Sequence, residues 1–190
     1  MNAQINTVPQ TPGHALDPVS GAWLKALDAI ERTSGGDRAV RALQQRIRAL
    51  PLGGVRDVLR GRQLGHPLHP VLVHVPVGCW LSAAVLDAVP GGQPTAGTLT
   101  AVGLAGAAPA AVAGWVDWAE LPLPRARVGL AHAVSNVAVI ACYTLSLASR
   151  VRGHTLKGRG WSLAGLAALA VSGALGGHVA HGRTGEPIGT

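Results

Sequence analysis

From Val71 to the end of the chain, long apolar stretches alternate with short polar links; before Val71 they do not. Four runs stand out, at about 71–89, 95–118, 128–147 and 161–179. Each is close to the ~20 residues needed to cross ~30 Å of hydrocarbon. None has the charged face that a water-exposed helix carries. No Lys, Arg, Asp or Glu occurs between Arg127 and Arg150, or between Arg159 and Arg183. The links Pro90–Pro94, Leu121–Pro124 and Arg150–Gly160 are short, which makes neighbouring helices antiparallel. The pattern predicts an all-α fold, an integral membrane four-helix antiparallel bundle over residues 63–183. Gly103, Gly106, Ala107, Ala110, Ala111 and Gly114 give the second run small residues for close helix contact. Pro76 and Pro109 lie inside runs and are expected to kink them.

The first part of the chain has a different period. Residues 1–16 read as a disordered tail and 184–190 as a second tail. Residues 1–15 lack a basic n-region and an apolar h-region, so the sequence predicts no signal peptide. Asp17-Pro18 suits a helix start. Trp23, Leu24, Leu27 and Ile30 share one face, and Ser34-Gly35-Gly36 ends the helix. Asp37 can cap a second helix, with Val40, Leu43, Ile47 and Leu50 on one side and Arg38, Arg41, Arg46 and Arg48 around it. Pro51 stops it, and residues 52–62 allow a third short piece. Residues 17–62 are therefore an amphipathic helical segment. It either lies on an anionic membrane surface or packs on the protein's own loops.

Composition sharpens this picture in two places. The net charge is +7, from 16 Lys and Arg against 9 Asp and Glu. Most arginines fall in Arg32–Arg62 and in links, without the aromatic or groove-reading elements that accompany a nucleic-acid surface; the sequence predicts no nucleic-acid partner. Cys79 and Cys142 each sit inside an apolar run, without paired spacing, and read as small core residues.

The candidate chemistry lies in the histidines. An up-down bundle brings the start of run one, the end of run two, the start of run three and the end of run four to one end, face A. That end collects six of the eight histidines: His66, His69, His74, His132, His178 and His181. Asp117, Trp115 and Trp118 join them, whereas His14 and His154 fall elsewhere. At ~1.5 Å per residue, His74 and His132 are expected at matched depth. The face carrying His132 continues through Asn136, Val139 and Tyr143. The positive-inside rule puts face A, with Arg48, Arg56, Arg60, Arg62, Arg125, Arg127 and Arg183, on the cytoplasmic side. Both termini are then cytoplasmic, in a multi-pass protein of the cell membrane.

Several of these pieces resemble one family. Leu64-Gly-His-Pro-Leu-His-Pro70, followed by Val73-His-Val-Pro-Val-Gly78 and Leu86-Asp87, is similar to the membrane-protein family of domain of unknown function 2231. Ala113-Gly-Trp-Val-Asp117, Arg127-Val-Gly-Leu-Ala-His132 with Asn136, and Gly176-Gly-His178 follow in the family's order. The resemblance covers roughly residues 55–183 and implies four membrane spans. Some relatives look fused to, or paired with, a Rieske-type iron–sulfur domain. This chain has no Cys-His ligand pairs of that kind, so a Rieske-type or other redox partner is expected to be a separate protein.

Three readings of the histidines stay open at this point. In the first, His74 and His132 are axial ligands of a haem b between spans one and three, with His178 in reserve, and the protein transfers electrons. In the second, His66, His69, His178 and His181 with Asp117 bind a transition metal. In the third, the histidines satisfy carbonyls freed by the prolines, or pair with acids, in a structural or scaffolding subunit. Asp87 is expected to be a helix-end residue apart from the cluster. The sequence offers no nucleophile motif, paired carboxylates or phosphate-binding loop, and leans away from a stand-alone enzyme.

Overall fold

A computed structural model describes residues 18–181, with side chains from 21 to 180. The expected tails 1–16 and 184–190, the cap at Asp17 and the side chain of His181 lie outside the described residues. Seven helices follow in order: α1 (Pro18–Arg32), α2 (Asp37–Arg48), α3 (Gly54–Leu59), α4 (His69–Ala88), α5 (Gln93–Trp118), α6 (Leu123–Val151) and α7 (Thr155–His181). No strand occurs among the described residues.

Helices α4 to α7 are all long and apolar enough to cross a membrane. All four start before the apolar runs. Pro70, Pro94 and Pro124 stand in the first turns of α4, α5 and α6, where a missing N–H costs nothing, so those helices start before hydrophobicity does. Helix α7 likewise takes in Thr155–Gly160, whose polar side chains do not prevent backbone hydrogen bonding. Pro76 and Pro109 sit inside α4 and α5 without ending them.

The four helices form two hairpins, α4–α5 and α6–α7, which close on each other through α5–α6 and α4–α7. Most of each helix lies on the outside. Val85, Val102, Val134 and Leu163 are exposed, an apolar outer surface of a kind soluble proteins avoid and lipid accommodates. The interior is narrow. At its middle Trp80 of α4 stacks on Tyr143 of α6, ring centres 4.1 Å apart and planes 8° from parallel. Gly103 and Gly165 stand where a Cβ would strike the Trp80 and Tyr143 rings, so the small residues make room for an aromatic pair as well as for close helix approach.

Helices α1 and α2 of the N-terminal segment pack on the bundle's own end. Leu27 of α1 is buried with Val128 and Leu175, and Val40 of α2 with Trp118 and Ala126. Polar bonds fix the layer. A helix leaves its last carbonyls without partners. Here Gln44 Nε2 donates to the carbonyls of Trp118 (3.3 Å) and Leu121 (2.9 Å), and Arg48 Nε to that of Ala119 (2.9 Å). Arg127 grips both carboxylate oxygens of Asp37 at 2.9 and 2.8 Å and also donates to the Glu31 carbonyl. These contacts all lie at the α5–α6 and α7 ends that define face A.

Candidate functional site

Under this N-terminal layer a cavity of about 530 Å³ lies between the two hairpins at face A. Its polar groups are His69, Asp117, Arg125, His132 and Asn136; its walls include Trp115, Trp118, Val137 and Ile140. The size is within the usual range for sites that hold a small molecule or cofactor, as is the mostly apolar lining with a few polar groups.

Two of the six gathered histidines face each other. The rings of His69, at the start of α4, and His132, on α6, are 6.4 Å apart between centres and 85° from parallel. Each is held in the same manner. His69 Nδ1 is 2.8 Å from the Ala110 carbonyl, and His132 Nδ1 is 2.8 Å from the Ser172 carbonyl. A carbonyl only accepts, so both rings carry their proton on Nδ1 and present Nε2 as a lone-pair donor. At His132 this lone pair takes a hydrogen bond from Asn136 Nδ2 at 3.0 Å. Ser172 Oγ donates to Asn136 Oδ1 at 2.9 Å and so orients the amide.

Glycines seat both rings. A Cβ at Gly114 would lie 2.9 Å from two atoms of the His69 ring, and one at Gly176 would lie 2.9 Å from His132 Cε1. In Gly176-Gly-His178 it is thus the first glycine that touches the site.

The expected pairing of His74 with His132 is not what the fold makes. His74 is exposed, its Nδ1 2.7 Å from the Pro70 carbonyl of its own helix. It stands five residues after His69, which at 100° per residue turns it about 140° away from the interior. The inward stripe of α4 is instead His69, Pro76, Trp80, Ala83 and Asp87. His178, the reserve ligand, is taken by Glu31 of α1, with Nε2 to Oε1 at 2.8 Å. His66 is exposed and bonds the neighbouring Pro67 carbonyl at 3.2 Å. Among the described residues, no three His, Cys, Asp or Glu side chains are grouped as metal ligands; of the metal set expected at the surface, the His181 side chain lies outside them. Asp117 does lie within electrostatic reach of His69 and Arg60.

At the opposite end, face B, sequence reasoning missed an ion pair. Asp87 and Arg150 are 8% and 7% exposed and meet through two N···O contacts of 2.8 and 2.5 Å. The up-down topology that collected the histidines also puts the end of α4 beside the end of α6, so this pair was open to the same argument.

The chain matches the family described as "Predicted membrane protein (DUF2231)" over residues 65–184 and belongs to it. No curated protein and no solved structure matches it. The matched region contains α4 to α7 and every polar group of the cavity.

Proposed function

We propose that the cavity holds a haem b between His69 and His132, and that the protein transfers electrons in the membrane. The observation that carries this reading is the matched presentation of two imidazoles. Histidines that bind metal ordinarily donate the other ring N–H to a carbonyl or carboxylate, and both rings do so. The ring centres are 6.4 Å apart, close to the widest separation that two imidazoles sharing one metal can have with bonds of about 2 Å.

The donor set favours haem over a bare ion. A zinc or copper site takes three or four protein ligands. Haem iron brings four nitrogens of its own and asks the protein for one or two. His69 and His132 would hold the iron, with Asn136 releasing His132 Nε2, and the apolar walls would enclose the macrocycle. Bound there, haem supplies one-electron chemistry, and the protein tunes it through the two ligands and their carbonyl partners. The electrons go to or come from a separate redox partner, a Rieske-type protein being the class the family resemblance suggests.

Protein purified in mild detergent from haem-replete cells is expected to show a Soret band with the reduced-minus-oxidised difference of a b-type cytochrome. His69→Ala and His132→Ala should each abolish or alter that spectrum. His74→Ala, His66→Ala and His154→Ala should leave it unchanged. A colourless preparation sinks the proposal, and a spectrum lost in His74→Ala but kept in His69→Ala assigns the wrong ligands.

In this reading face A is cytoplasmic. A reporter active only outside the cytoplasm should be silent when fused after Thr190 and active when inserted at Gly153 in the α6–α7 turn. The reverse pattern inverts the orientation.

A further inference from the structure

Helix α3 has its polar side inward and its apolar side outward. Arg56 donates to the carbonyls of Ile47, Arg48 and Leu50 at 3.0, 3.0 and 3.1 Å, and so closes the end of α2. Arg60, just past α3, pairs with Glu120 at the end of α5. The other side carries Val55 and Val58, which are 58% and 48% exposed, and Leu64 beyond the helix is 57% exposed. A helix on a water-facing surface has the opposite arrangement.

The height of α3 is fixed by its join to α4. The Leu68 N–H, at the start of α4, donates to the Leu59 carbonyl at 3.3 Å. Gly61, at φ +65°, turns the chain between them, and a Cβ there would run into the His66 carbonyl. The end of α3 is therefore level with the first turn of α4. Helix α4 has 20 residues, about 30 Å, which matches the hydrocarbon thickness. Its first turn thus stands at the membrane boundary.

We infer that Val55, Val58 and Leu64 are immersed in the boundary between headgroups and acyl chains of the face A leaflet, making α3 an interfacial anchor. The occupant of this face is the protein's own bilayer, because the join to α4 sets α3 level with the first turns of that helix, where Val71 and Val75 are each 47% exposed. Arg62 follows the Gly61 turn at the end of α3. It is 68% exposed although it pairs with Asp57 at 3.3 Å. Its stem can lie along the apolar patch while the guanidinium reaches lipid phosphates. Helix α2 is different: its inner side is buried on the bundle end, and its outer side carries exposed Arg38, Arg41 and Arg46, which suits water.

The test uses the full chain with Cys79→Ser and Cys142→Ser, in lipid nanodiscs of phosphatidylcholine and phosphatidylglycerol. A nitroxide is attached through Val58→Cys or, as the aqueous control, Ala42→Cys. Collision with oxygen should exceed collision with a water-soluble nickel chelate at position 58, and the order should reverse at position 42. Leu64→Cys gives the same reading if the position 58 variant does not fold. Labels at 58 and 64 as open to the chelate as the label at 42 overturn the anchor. Labels shielded from both reagents also overturn it, and point to a second copy as the occupant. The outcome does not depend on whether haem is bound.

Discussion

Asp87→Ala should destabilise the bundle by about 3–5 kcal/mol, the cost of leaving one member of a buried ion pair without its partner. The pair ties α4 to α6, and its surroundings extend the tie to α7. Arg150 also approaches Ser146 Oγ and Ser162 Oγ, each at 3.2 Å. Those hydroxyls are 2.8 Å apart, and Ser146 Oγ donates to the Gly158 carbonyl at 2.7 Å. Without Asp87 the guanidinium keeps only these neutral acceptors. Asp87→Ala combined with Arg150→Met should recover most of the loss, because replacing both members with apolar groups removes the uncompensated charge. Unfolding of purified protein in mixed detergent micelles measures both. A cost below about 1 kcal/mol for Asp87→Ala would mean that water reaches the pair and screens it as it screens surface pairs.

This pair and the histidines show what the sequence made legible. Helix number, order and up-down direction came from run length and link length, and those are strong signals because hydrocarbon sets a minimum span. The ends were less clear, since hydropathy reports where lipid contact stops and not where the backbone stops bonding. Grouping at face A followed from topology alone, and it brings His69, His132 and Asp117 to one cavity. Pairing needed rotation as well as depth. His74 and His132 were matched for height, but His74 points away from the interior. The repeat of about 3.6 residues per turn puts His69, Trp80 and Asp87 on one stripe of α4, and that test distinguishes the inward histidine from the outward one. On α6 the same test succeeds: His132, Asn136, Val139, Tyr143 and Ser146 follow one line into the interior.

The N-terminal layer was legible as helices, with docking on the bundle as one of two open placements. Its docking depends on particular side-chain bonds across long separations. Gln44 reaches the Trp118 and Leu121 carbonyls, and Arg127 reaches Asp37. No periodicity encodes such bonds. What the sequence did contain was the need for them, since the end of α5 leaves carbonyls that some donor has to meet. The same applies to the site. Ser172 shows in the sequence only as one more small residue of an apolar run, yet its carbonyl fixes the His132 tautomer.

The glycines beneath the two rings test the haem proposal further, because they touch the two proposed ligands without being ligands themselves. Gly176→Ala and Gly114→Ala should each weaken haem binding by about fivefold or more. A Cβ at Gly176 would lie 2.9 Å from His132 Cε1 and 3.2 Å from its Nδ1; one at Gly114 would lie 2.9 Å from both Cε1 and Nδ1 of His69. Each ring would have to move, and the Nδ1 bonds to Ala110 and Ser172 resist that movement. Crowding of this kind costs about 1–3 kcal/mol, and each 1.4 kcal/mol is about tenfold in affinity. Gly173→Ala is the control: nothing stands within 4 Å of its Cβ position, so haem binding should not change. Titration of haem into the apo-protein, followed at the Soret band, gives the affinities, and thermal unfolding of the same samples reports the fold. Parent-like affinity in Gly176→Ala would free the His132 ring from any need for its present position, and with it remove His132 as a ligand.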